Sequence, residues 1–224
     1  MFRAILFDFA GVLTTSPFAG IYDYEAAMGY QRGSLRTLLI GDYGATDNAH
    51  PWHRLERGEL TTAEFWSGLV ERAEEAGTPI ELQAFLQAFA GSVRPHQGML
   101  ETARGLRGAY KTAIVTNNVR EFGDSWRSMI DAETGFDAVV DSSEVGMRKP
   151  EPAIYLHACE LLEVAPDEAV FLDDSVTNVD AAVRLGLAGI LVEDHEVAIA
   201  ELLDMLGIGI GSGHQSSSRG PTSP

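Results

Sequence analysis

The C-terminal part of this sequence repeats one pattern: a short apolar run, a stretch with helical spacing, then another apolar run. A helix over residues 97–107 precedes a strand at Thr112–Thr116, and further strands fall near Ala138–Val140, Ala169–Leu172 and Gly189–Val192. Helices over 119–130, 151–163, 177–185 and 195–206 fit between and after them. This alternation demands a parallel sheet covered on both faces, because parallel neighbours are joined by crossovers of helical length. Ala4, Ile5, Leu6 and Phe7 form another run of the same β-forming type, so the first strand belongs to that sheet too. The expected fold class is α/β, a doubly wound parallel sheet of Rossmann-like form.

Between that first strand and residue 95 the spacing is helical. Residues 23–40 carry Tyr24, Ala27, Met28, Leu35, Leu38 and Leu39, divided by Gly29 and Gly33. A glycine-rich polar loop spans 41–50, Pro51 starts a helix ending near Gly58, Thr61 and Glu64 are spaced as a capping box, and Pro79 opens another helix. Residues 18–90 therefore read as an all-helical insert, a cap on a core made of 1–17 and 91–206. Crossings near 14–18 and 90–96 would serve as its hinges. The tail 207–224 is rich in Gly, Ser and Pro and is expected to be flexible. Its GIGIGSG stretch lacks the following helix that a nucleotide-binding glycine loop needs.

At 224 residues and 45% apolar composition the chain can bury a sizeable core. Its net charge of −17 repels nucleic acid and anionic lipid, so neither is an expected partner. One cysteine, Cys159, excludes an internal disulfide and a multi-cysteine zinc site. No apolar run is long enough for a membrane span and no signal peptide is read at the start, so a cytoplasmic setting is expected.

In open α/β sheets, ligands bind beyond the carboxyl ends of the strands, and here those ends are chemically rich. The first stops at Asp8, with Gly11 three residues on. The second stops at Thr116, Asn117 and Asn118, able to hydrogen-bond an anion. Lys149 precedes Pro150 at a helix start, where a cation and the helix N-terminus can hold negative charge. The fourth strand ends in Asp173 and Asp174, adjacent acids that call for a cation or hydrogen bonds.

Taken in order, FDFAGVL at 7–13, VTNN at 115–118, RKPEPAIY at 148–155 and FLDDSVTN at 171–178 resemble the four motifs of the haloacid dehalogenase superfamily. FLDD with Asn178, and RLERGELT in the cap, are similar to the branch of the N-terminal phosphatase domain of soluble epoxide hydrolases. The resemblance implies a hydrolase in which Asp8 attacks phosphorus to give an aspartyl-phosphate. It implies Mg²⁺ held by Asp8, the backbone carbonyl of Ala10 and Asp174, with Asp173 acting directly or through water. Thr116 and Asn117 would hold phosphoryl oxygens, Gly11 would border the substrate, and Lys149 would neutralise both Asp8 and the phosphoryl group. The implied partner is a small phosphorylated metabolite.

Ala10 breaks the pattern, because phosphatases of that superfamily carry a second aspartate there, which protonates the leaving alkoxide and then activates water. General acid and base catalysis of that kind contributes ~10²–10⁴-fold, so slow turnover of alkyl phosphates is expected, with good leaving groups suffering less. His50, His53, Glu56 and Glu59 in the cap are alternative sources of a proton. Branches similar to phosphonoacetaldehyde hydrolases use a cap lysine, whereas the two lysines here are Lys111 and Lys149. A metal-independent 2-haloacid dehalogenase, with Arg32 or Arg36 binding the carboxylate, and a weakened protein that only binds phosphate and metal, are the alternatives.

Overall fold

The computed structural model describes residues 1–41 and 50–209; the polar loop expected at 41–50 and the glycine-rich tail fall almost wholly outside the described residues. The elements run β1 (Ala4–Phe7), α1 (Phe18–Met28), α2 (Ser34–Ile40), α3 (Pro51–Glu56), α4 (Thr62–Glu75), α5 (Leu82–Gly91), α6 (Gln97–Leu106) and β2 (Lys111–Thr116). They continue with α7 (Gly123–Met129), α8 (Ala132–Gly135), β3 (Ala138–Asp141), α9 (Ser142–Val145) and α10 (Pro152–Leu161). The chain then forms β4 (Ala169–Asp173), α11 (Val176–Arg184), β5 (Ala188–Leu191) and α12 (His195–Met205). All strand pairings are parallel, in the order β3-β2-β1-β4-β5.

The alternation of side chains along β1 explains the layers. Ile5 and Phe7 face a core built with Met99 and Leu100 of α6, Trp126 of α7 and Leu202 of α12. Ala4 and Leu6 face the opposite way, onto Ile154, Tyr155 and Ala158 of α10 and Ala182 of α11. Every residue of β1 is fully buried, as the central strand of a parallel sheet must be. Asp8 and Asp173, which end β1 and the adjacent β4, are thereby delivered side by side.

Helices α1 to α5 gather a third core, in which Trp52, Phe65, Trp66 and Phe85 are packed together with Leu35 and Leu39. The Thr61–Glu64 capping box forms, each residue satisfying the other's backbone N–H, at 3.2 and 2.9 Å. The fifth helix starts at Leu82, not Pro79, because the Glu81 carboxylate accepts the Gln83 and Ala84 N–H groups and so sets the N-cap. The two crossings between this insert and the sheet run alongside each other. Thr15 N donates to Arg94 O at 2.8 Å, Arg94 N to Thr15 Oγ1 at 2.8 Å, and His96 N to Leu13 O at 2.9 Å. Among the described residues no helix is long and apolar enough to cross a membrane.

Candidate active site

Asp8 leaves β1 with its backbone N–H still bonded to Leu172 O at 2.9 Å, so the sheet ladder holds its Cα in place. Its Oδ1 accepts from Phe9 N at 2.7 Å. The chain then reverses tightly: Gly11 N donates to Thr14 O and Thr14 N to Phe9 O, at 2.9 and 3.0 Å. Gly11 has φ +90°, and a Cβ there would lie 2.2 Å from Asp174 Oδ2. Only glycine permits that backbone conformation together with so close an approach of the turn to Asp174.

One carboxylate oxygen from each of Asp8, Asp173 and Asp174 can be chosen so that all lie within 4.8 Å of one another. The Lys149 ammonium reaches into this cluster, 2.7 Å from Asp8 Oδ1 and 2.7 Å from Asp173 Oδ2. Asp173 is bound further by Ser175 N at 2.8 Å and by Asn178 Nδ2 at 3.1 Å to each oxygen. Tyr155 OH donates to Asn178 O at 3.0 Å, which braces α11 beneath the site.

These charges shape each other. Burial pushes Asp8 well above the usual carboxylate range, Lys149 opposes that, and Asp173 and Asp174 reinforce it. Burial also works against the Lys149 charge, but Asp173 and Asp8 outweigh it and hold the ammonium above the ordinary lysine value. Asp174 opens onto the cavity yet stands deep in the cleft; burial and the neighbouring Asp173 raise it to about 6. One ammonium thus faces three carboxylates, a donor set of hard oxygens that suits a divalent cation such as Mg²⁺ or Ca²⁺.

The cluster sits at the floor of a cavity of about 530 Å³ between the sheet and the helical insert. Asp8, Ala10, Asn117, Asn118 and Asp174 line its polar side; Phe9, Phe18, Trp52, Phe89 and Phe122 line its apolar side, and Arg36 of α2 adds a cation. Thr116 is buried at the end of β2, and Lys149 is buried behind the carboxylates; neither is part of the cavity lining. The carboxamide of Asn117 is engaged with Lys149, whose N–H it accepts at 2.8 Å and whose carbonyl it donates to at 2.9 Å.

Glu56 lies in the cavity wall, whereas Glu59 pairs with Arg57 at 2.7 Å and is not in the lining. His50 caps α3, its Nδ1 accepting from Trp52 N at 3.1 Å, and His53 is buried beside it with the rings 5.6 Å apart. Asn118, the last residue of the expected strand-end cluster, lines the cavity, and its backbone N–H donates to Ser142 Oγ at 2.9 Å.

Acids and a lysine converge at the carboxyl ends of a parallel sheet, under a helical insert, where open α/β folds place their ligand sites. The pattern of the haloacid dehalogenase-like hydrolases matches residues 2–186, and the chain belongs to that family. It is 33% identical to bifunctional epoxide hydrolase 2 of Mus musculus over 221 residues, 92% of this chain and 39% of that protein. It is 26% identical to the sesquiterpene phosphatase astK of Aspergillus oryzae over 214 residues, 92% of this chain and 97% of that one. The chain spans under two fifths of the length of the mammalian relatives it matches. Its fold is shared with the family enzyme bt-2542 of Bacteroides thetaiotaomicron, solved with magnesium and inorganic phosphate, at a TM-score of 0.61 and 21% identity, covering 87% and 97% of the two chains.

Proposed function

We propose that this chain is a Mg²⁺-dependent phosphatase for small phosphorylated molecules, working through an aspartyl-phosphate on Asp8 beneath a cap formed by residues 18–90. The observation that carries this reading is the Lys149 ammonium, 2.7 Å from both Asp8 and Asp173 beside the open carboxylate of Asp174. An Oδ of Asp8 attacks phosphorus while the bond from phosphorus to the leaving oxygen breaks, and that oxygen keeps the electron pair. Water then attacks phosphorus, the bond to Asp8 breaks, and the carboxylate is regenerated. Lys149 holds Asp8 in line and offsets the charge brought by the phosphoryl group. Asn117 lines the cavity beside the phosphoryl position and secures the Lys149 backbone, with Thr116 buried behind it at the end of β2. Mg²⁺, when held by Asp8, the Ala10 carbonyl, Asp174 and Asp173, supplies further neutralisation of phosphoryl charge.

The aromatic side of the cavity favours a substrate whose leaving group is apolar, and the name of the similar sesquiterpene phosphatase supports the same direction. Ala10 offers no proton to that leaving group, so alkyl esters turn over slowly and acyl or aryl phosphates faster.

Asp8→Asn is expected to lower p-nitrophenyl phosphate hydrolysis at least ~10⁴-fold, and EDTA to abolish it reversibly. Activity that survives both, or halide release from 2-chloropropionate without metal, would overturn the reading. Metal affinity carries a pH signature as well. Asp174 must be ionised to act as a ligand, and in the metal-free protein it gains its proton below about 6. Titration calorimetry should therefore find Mg²⁺ affinity weakening as pH falls through about 6, with protonation of Asp8, also raised by burial, acting in the same direction.

A further inference from the structure

The carboxylate of Glu56 ends α3 in the cavity wall, yet both of its oxygens are engaged. Oε1 accepts from Trp52 Nε1 at 2.7 Å and Oε2 from Arg148 Nε at 2.7 Å. Glu56 and Arg148 are 1% and 0% exposed, so this is a fully buried ion pair joining the insert to the segment after α9. Such pairs add little net stability over apolar packing, because desolvation offsets their attraction; what they supply is a fixed geometry. The geometry fixed here is that of the next residue. Arg148 precedes Lys149, whose peptide N–H and carbonyl are both taken by Asn117. The lysine backbone is therefore held from the sheet side through Asn117 and from the insert side through Arg148 and Glu56. Ser142 Oγ adds a bond of 2.6 Å to the Glu56 carbonyl, so the end of α3 cannot drift independently of the core.

We infer that Glu56 is a positioning residue: acting through Arg148, it sets where the Lys149 ammonium stands between Asp8 and Asp173, and so couples docking of the insert to assembly of the charged centre. The kinetic consequence rests on the phosphatase reading; the structural consequence does not. Glu56→Gln keeps the size and an acceptor for Trp52 but removes the charge that orients Arg148. A displacement of about 1 Å at a reacting group costs on the order of 10²-fold, so kcat for p-nitrophenyl phosphate should fall ~10–10²-fold. KM should stay within about twofold, since the cavity wall is preserved.

The test uses the intact chain and two readouts. The sequence has two lysines, and Lys111 is exposed, so the slowly exchanging ¹H–¹⁵N ammonium resonance belongs to Lys149. That resonance should shift in Glu56→Gln and stay in place in Glu151→Gln, which cuts the neighbouring Arg57–Glu151 tie between insert and core. In a double-mutant cycle, Glu56→Gln added to Arg148→Gln should cost no further kcat. Should Glu56→Gln fail to fold, Glu56→Asp, which keeps the charge but shortens its reach to Arg148, carries the same expectation. An unmoved resonance, losses that add, or an equal effect of Glu151→Gln would overturn the inference. If the wild-type protein shows no Asp8-dependent turnover, the phosphatase reading fails by itself and the Lys149 resonance decides this one.

Discussion

Replacing Lys149 by methionine is expected to reduce kcat on aryl phosphates by ~10²–10³-fold, the loss typical of removing one preorganised charge from a transition state. Methionine matches the length and apolar stem of lysine, so what disappears is the ammonium that lies 2.7 Å from Asp8 and from Asp173. Two buried carboxylates then confront each other, and in the metal-free protein protonation relieves their repulsion. Asp8 is already pushed well above the usual carboxylate range with Lys149 in place, so its pKa should rise further in the variant. Denaturant titrations should accordingly show Lys149→Met gaining stability relative to wild type as pH falls. Each proton that the native state binds more tightly than the unfolded chain stabilises the fold at lower pH. Lys149→Arg should restore the charge without the fit, because a planar fork replaces a compact point charge. Steady-state kinetics on the three proteins provide the check; turnover of Lys149→Met within tenfold of wild type would remove Lys149 from the mechanism.

Ala10→Asp is expected to act in the opposite direction. A carboxyl group placed there faces the cavity, two residues beyond Asp8, where it can protonate a leaving alkoxide and then deprotonate water. Its gain on alkyl phosphates should approach the ~10²–10⁴-fold of general acid and base catalysis, with little change on acyl phosphates, whose leaving groups need no proton. The ratio of the two rates is the measurement. Equal rates before and after the substitution would mean that another group already performs the proton transfers.

The strands and their chemical ends were legible because a buried parallel strand must be a short, uninterrupted apolar run, and an acid that ends one cannot hide. Asp8, Asp173 and Asp174 were found in this way, and Lys149 by its place before Pro150 at a helix start; the structure brings the four together. The order of the strands was not legible, because it depends on pairings between residues more than a hundred positions apart, such as Leu6 with Phe171. Nor was the second role of Asn117, whose carboxamide grips a backbone 32 positions away. Glu56 looked like one of several acids on the insert. Only packing shows that Arg148, 92 positions on, claims its carboxylate. Short helices α8 and α9, four residues each, carry too little periodicity to be read. Local patterns encode elements and their ends; long-range polar pairs leave no local trace.

The central claim, covalent phosphorylation of Asp8, is tested most directly by stopping the enzyme in acid during turnover of an acyl or aryl phosphate with Mg²⁺ and mapping the modified peptide by mass spectrometry. One phosphoryl group is expected on the N-terminal peptide containing Asp8, lost on treatment with hydroxylamine and absent from Asp8→Asn or in EDTA. Steady turnover with no covalent intermediate under any quench, or a phosphoryl group on a different residue, would contradict it.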